Sequence, residues 1–226
     1  MNQPLDILKA GIRKFHTDIY GVRADAYHKA ATEPQRPHTL IVGCADSRVD
    51  VSTLTSSGPG EVFITRNVGN MVPAYGETPG GVGAVIEYAL DALKVRHVVV
   101  CGHLDCGAMK ALLQPSPAES MPYVARWLTH GLAALRIAQA IHQQTGRDLL
   151  SVLTEQNVLM QLAHLRTHPH IAGALARKAL TISGWVYDIG CGNVKIWEGG
   201  DNPDAFETIR PGAIPASVLQ GDAGSR

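Results

Sequence analysis

The chain has 226 residues, 45% of them apolar, enough for the core of one α/β domain. Twenty Lys and Arg balance twenty Asp and Glu, so there is no basic footprint for nucleic acid or an anionic membrane, and a small neutral or weakly charged substrate fits better. No apolar run reaches the roughly 20 residues of a membrane span and no secretory apolar region opens the sequence; four cysteines are too few for a disulfide scaffold, which together predicts a cytoplasmic protein whose cysteines serve metal binding or catalysis.

Leu5, Leu8, Ile12, Phe15 and Ile19 recur at spacings of three and four, predicting a helix over 3–30 with an apolar stripe that needs a surface. Pro34 and Pro37 break it within 31–38. Three runs rich in β-branched residues, 39–43, 62–65 and 97–101, read as buried parallel strands. Between the last two, Thr78 is placed to cap a helix whose face is Val82, Val85, Ile86, Ala89, Leu90 and Leu93. Strand, helix, strand in that order implies right-handed crossovers and a doubly wound sheet. Residues 118–144 and 148–168 have helical period, with Gly146 as a stop between them and Pro169 closing the second. Residues 181–189 and 194–197, joined through Cys191, Gly192 and Asn193, read as a hairpin. The fold class is therefore α/β: a mostly parallel sheet of four parallel strands plus a C-terminal antiparallel edge strand, flanked by helices, with an N-terminal helical arm.

The chemistry-bearing residues follow the first and third strands, as Cys44-Ala-Asp46-Ser-Arg48 and His103-Leu-Asp-Cys106. Ligands collect at that end of an open sheet, in the crevice where connections leave to opposite faces. Two thiolates and an imidazole suit zinc, and three protein ligands leave a fourth position where water can lose a proton near neutral pH. Taken singly, each Cys or His is more often an ordinary packed residue, and it is their joint placement that favours a metal. Cys101, inside a strand, and Cys191, in the hairpin turn, read as packing or turn residues. Arg48 beside Asp46 can hold its carboxylate ionised by a bidentate contact, ready to accept a hydrogen bond at the metal; an ion pair that merely fixes the turn is the alternative.

Four blocks, Cys44-Ala-Asp-Ser-Arg-Val, Gly60-Glu-Val-Phe-Ile-Thr-Arg-Asn-Val-Gly-Asn, Gly81-Val-Gly-Ala-Val-Ile-Glu-Tyr-Ala and Gly102-His-Leu-Asp-Cys-Gly, together resemble the β-class carbonic anhydrases, with Gly184-Trp-Val-Tyr-Asp-Ile similar to the family's C-terminal strand. The resemblance implies one zinc per subunit on Cys44, His103 and Cys106, with Asp46 and Arg48 as the catalytic pair and Asp46 as a possible fourth ligand in a closed state. It implies a substrate pocket for carbon dioxide and bicarbonate lined by Phe63, Val68 and Tyr88, with Gln35 and the Gly107 amide as hydrogen-bond donors. It also implies a homodimer or dimer of dimers, so the division expected is an arm over 1–34 packing on the partner, one zinc-binding domain over 35–215, and a flexible tail over 216–226. In a bacterial subset of the family, a Trp three residues before the first zinc Cys joins an Arg and a Tyr in a non-catalytic bicarbonate site. Here that position is Ile41, although Arg66 and Tyr187 match the other two, which favours the plant-like arrangement with Asp46 on Arg48 and zinc open. Two rivals stand beside hydration of carbon dioxide: hydrolysis of carbonyl sulfide or carbon disulfide at the same site, and a zinc-stabilised binding protein without turnover.

Overall fold

The computed structural model describes residues 3–77, 80–115, 120–200, 202 and 205–210. Strand β1 (Thr39–Cys44) is buried at every position, with Leu40, Ile41 and Val42 at most 1% exposed. Such a run is what a parallel sheet covered on both faces requires. Beside it lie β2 (Val62–Asn67), β3 (His97–His103), β4 (Thr181–Tyr187), β5 (Val194–Trp197) and β6 (Glu207–Ile209), in the order β2-β1-β3-β4-β5-β6. The first four strands are parallel and the last two antiparallel. The sequence predicts a single antiparallel edge strand; β6 adds a second, and three residues with only Ile209 strongly apolar give too short a pattern to detect. The hairpin turn runs from Asp188 to Asn193, whose carbonyl accepts the Asp188 amide at 2.8 Å.

The expected helix over 3–30 is three pieces: α1 (Pro4–Lys14), a π-helical turn (Phe15–Tyr20) and α2 (Ala24–Thr32). None of the three buries a residue, and Leu5, Leu8 and Ile12 stand 59%, 65% and 58% exposed. Short α3 (Val51–Leu54) follows β1, capped by Asp50, whose side chain accepts the Ser52 and Thr53 amides. Helix α4 (Gly81–Asp91) lies between β2 and β3, with Ile86, Ala89 and Leu90 inward as its period predicts. Thr78, its expected cap, lies outside the described residues, as do 116–119 and the tail 216–226.

Helix α5 (Gly107–Leu113) leads to α6 (Pro122–Leu128), and a 3-10 turn (Thr129–Gly131) joins it to α7 (Leu132–Thr145), where the sequence predicts one helix. Gly146 ends α7 at φ +69°, the left-handed position for which glycine is suited. Helix α8 (Leu149–Arg166) stops before Pro169, which opens α9 (Pro169–Ala176) instead of closing α8; proline lacks only the amide that a first helical turn leaves unpaired. Helix α8 crosses β3 and β4 where Gly102 and Gly184 leave a flat surface: a Cβ on Gly184 would stand 2.6 Å from Val158 Cγ1, and one on Gly102 2.8 Å from Val158 Cγ2. Among the described residues no helix is long and apolar enough to cross a membrane.

Candidate metal centre

Because β2 and β3 flank β1 on opposite sides, the C-terminal ends of β1 and β3 form the topological switch point of the sheet. Cys44 ends β1 and His103 ends β3. Leu104 and Asp105 then turn the chain, Asp105 with φ +61°, and Cys106 immediately precedes α5. One ligand atom from each of Cys44, His103 and Cys106 lies within 4.8 Å of the others, and the two sulfurs are 3.9 Å apart, all three residues buried.

The His103 ring is oriented by its own backbone: Nδ1 meets the Leu104 carbonyl at 2.9 Å, and since a carbonyl only accepts, Nδ1 carries the proton. Nε2 therefore presents its lone pair inward, where it is buried without a hydrogen-bond partner. Leaving such a group unmet costs about 1–3 kcal/mol, which a coordinated cation would relieve. The Cys44 thiol is pulled down in pKa, first by the Cys106 thiol, then by His103 and the backbone amides of Asp46 and Gly69. Cys106 is pushed up because it faces the Cys44 sulfur and is buried. The pair thus favours one thiolate by itself, and a divalent cation would ionise both. Two sulfurs and an aimed imidazole nitrogen fit zinc chemically. A second grouping, Glu87, Asp91 and His170, is fully on the surface, and His170 Nδ1 is already 2.8 Å from Asp91 Oδ2.

Asp46 sits at the rim, its Oδ2 3.7 Å from His103 Nε2. Arg48 grips it with a fork, Nη2 to Oδ2 at 2.8 Å and Nε to Oδ1 at 2.9 Å, and the Arg48 amide adds a third bond at 3.0 Å. These contacts hold the Asp46 carboxyl well below the usual carboxylate range and keep it ionised. Arg48 Nη1 also donates to Asp105 Oδ2 at 3.0 Å, and Lys110 pairs with the other Asp105 oxygen. Arg66 secures the loop from below: Nε donates to the Cys44 carbonyl at 2.8 Å and Nη2 to the Asp46 carbonyl at 2.6 Å.

Other residues singled out in the sequence fall into two groups. Val68, in the turn after β2, and Gly107, at the start of α5, adjoin the centre. Phe63 and Tyr88 face each other with ring centroids 5.9 Å apart, at the far end of β2. In register, Phe63 pairs with Leu40 and Asn67 with Cys44, so four strand steps, about 13 Å, separate Phe63 from the metal end. Gln35 precedes β1 on that far side, exposed in a groove with α2 and the turn at Gly58–Glu61. Ile41 is 1% exposed, and Tyr187 pairs with His103 across β3 and β4. Cys101 is sealed in β3 with its thiol pushed up to about 12 by burial, and Cys191 Sγ donates to Asp188 Oδ2 at 3.0 Å in the hairpin turn.

Sequence reasoning missed a polar stripe facing the turn after β2: Asn157, Gln161, His164 and His168, spaced by four, three and four residues. That helical spacing was its signal, hidden because polar stripes ordinarily face water.

The sequence pattern of the family described as carbonic anhydrase matches residues 39–194. A carbonic anhydrase of Pseudomonas aeruginosa is 44% identical over 189 residues, covering 84% of this chain and 86% of its own length. Among solved structures, the β-carbonic anhydrase CcaA superposes with a TM-score of 0.83 at 37% identity, covering 92% of each chain. One of two tetrameric β-carbonic anhydrases from Sordaria macrospora gives a TM-score of 0.61 at 29% identity, covering 87% of this chain and 95% of its own. These likenesses lend nothing to the sulfur-substrate hydrolase or the non-catalytic binder. Family pattern, relatives and sheet agree, and the chain belongs to the β class of the carbonic anhydrases, zinc-dependent lyases that interconvert carbon dioxide and bicarbonate.

Proposed function

We propose that hydration takes place at a single zinc ion per subunit held by Cys44, His103 and Cys106. The observation that carries this is the inward, unpartnered Nε2 of His103 beside two thiols 3.9 Å apart. When bound, the ion supplies the Lewis acidity that lets water ionise near neutral pH. Asp46, kept anionic by the Arg48 fork, accepts a hydrogen bond from the attacking oxygen and turns its lone pair toward carbon dioxide. Phe63, Val68 and Tyr88 hold the apolar substrate by contact, while the Gln35 amide and the Gly107 N–H receive the charge that develops on its oxygen. Cys44, His103 and Cys106 would hold the ion, and Asp46, engaged by the Arg48 fork, would stay off it and free to accept a hydrogen bond, joining those ligands only in a closed state.

Gln35, Phe63 and Tyr88 lie too far along the sheet to serve their own subunit's centre, so a second copy contributes them. A two-fold dimer is then the catalytic minimum, and pairing of dimers gives a tetramer like the Sordaria macrospora relative. The arm over 1–34 packs on that second copy, which covers the exposed stripe of Leu5, Leu8 and Ile12, and residues 35–215 form the zinc-binding domain. Two reduced thiols at the centre favour the cytoplasm as its location.

The test pairs metal analysis of freshly purified protein with a pH-change assay on carbon dioxide. Asp46→Asn is expected to keep one zinc per subunit and lose at least about tenfold in kcat. Equal loss of zinc and activity would refute the role given to Asp46.

A further inference from the structure

Arg48 meets Asp46 with Nε and Nη2, one edge of its guanidinium. The other edge is occupied too. Nη1 donates to Asp105 Oδ2 at 3.0 Å, and Nη2 reaches the Asp105 carbonyl at 3.3 Å, so Asp105 is held through both its side chain and its backbone. The second Asp105 oxygen pairs with Lys110, on α5. Asp46, Arg48, Asp105 and Lys110 therefore form a chain of alternating charge from the turn after β1 to the helix that follows Cys106.

Arg48 has need of a second anchor. Its side chain is 46% exposed, so water competes for the contact with Asp46, and a long arginine gives up much rotamer freedom when it is fixed. A planar guanidinium held on two edges is left with one orientation. Asp105 is a firm point of attachment because its turn is short and bounded by His103 at the end of β3 and Cys106 at the start of α5. It stands at φ +61°, a conformation that aspartate tolerates better than most residues. The Asp46 backbone does not depend on Arg48 alone, since Arg66 donates to its carbonyl at 2.6 Å, so what Asp105 adds bears on the orientation of side chains.

We propose that Asp105 is a positioning residue for the catalytic pair: by holding the Nη1 and Nη2 edge of Arg48, it keeps the Nε and Nη2 edge aligned with the Asp46 carboxylate. The inference rests on the role given above to Asp46 and Arg48, and Asp105 acts only through Arg48. Competition, in which Asp105 draws Arg48 away, is the opposite reading. Against it, Asp46 receives all three of its hydrogen bonds from Arg48, at 2.8, 2.9 and 3.0 Å, with Asp105 engaged.

Glycine and asparagine both suit a positive φ, so Asp105→Gly and Asp105→Asn alter the contact without straining the turn. In the zinc-loaded enzyme, Asp105→Gly is expected to lose about fivefold in kcat/KM with zinc content unchanged, and Asp105→Asn, which keeps a weaker acceptor, to lose less. The readout independent of turnover is the NMR order parameter of the Arg48 Nε–H, assigned by its absence in Arg48→Met, which is expected to fall in Asp105→Gly. In the Arg48→Met background, Asp105→Gly is expected to cost nothing more, because the side chain it steadies is gone. An unchanged order parameter or kcat/KM in Asp105→Gly would overturn the proposal, as would a gain in activity, the same fivefold loss in the Arg48→Met background, or a loss of zinc in proportion to activity. Full activity in Arg48→Met would overturn the role of the Asp46 and Arg48 pair itself, a failure seen before Asp105 is altered.

Discussion

At the scale of single residues, Arg48 does two things to Asp46: it fixes the carboxylate by two parallel hydrogen bonds, and it keeps the charge on it. The Asp46 pKa is lowered from 3.8, chiefly by the Arg48 side chain. A carboxylate depressed in the fold contributes stability at pH above its unfolded value, and that contribution disappears as pH falls through the folded value. Replacing Arg48 by Met removes the main cause. The variant is therefore expected to unfold at higher pH than wild type in an acid titration followed by circular dichroism, and superimposed curves would count against the assignment. That Cys44, Asp46, Arg48, His103 and Cys106 come together was legible in the sequence, since each is of a chemically distinctive type and stands at or just past the end of a strand. Asn157 and Gln161 were not, because nothing in the residue type separates a buried amide from a solvated one.

At the scale of elements, the contact between α8 and the sheet depends on what two strands omit. Val158 sits over Gly102 and Gly184, and adding a methyl to Gly184 would bring it to 2.6 Å from Val158 Cγ1 and 3.0 Å from Leu162 Cδ1. Overpacking of that kind costs about 1–3 kcal/mol. Gly184→Ala is expected to lower the urea midpoint accordingly, and an unchanged midpoint would show that α8 can shift without penalty. Three of the four parallel strands could be read in advance because continuous β-branched runs have few other uses, and the fourth was legible as the first arm of the hairpin. Breaks in the helices were harder to see. The π-helical turn at Phe15–Tyr20 leaves the apolar spacing intact, and its aromatic cluster, with Tyr20 and Tyr27 stacked at 5.1 Å, forms only once the chain has bent. Pro169 was read as a stop when it is a start, since proline serves at either boundary and only the residues beyond it decide.

At the scale of the whole molecule, the proposed pocket is divided: Cys44, His103 and Cys106 stand at one end of the sheet, and Gln35, Phe63 and Tyr88 at the other. A subunit whose metal site is abolished by His103→Ala and one whose wall is removed by Phe63→Ala should each be nearly inactive alone. If each site combines the two copies, co-expression gives half heterodimers with one intact site in two, and about a quarter of wild-type activity returns. No recovery would mean that each subunit builds its own pocket. This division was not visible from residue spacing, which orders residues along a chain but says nothing of which copy they face.

Arg66 has one further consequence. Its Nε and Nη2 donate to the Cys44 and Asp46 carbonyls, and the position where one bacterial subset of the family carries an indole holds Ile41, 1% exposed. On the proposed arrangement, bicarbonate has no second foothold from which to throttle its own formation. The protein would then work as an equilibrator and not as a valve, running in whichever direction the gas and its anion are out of balance.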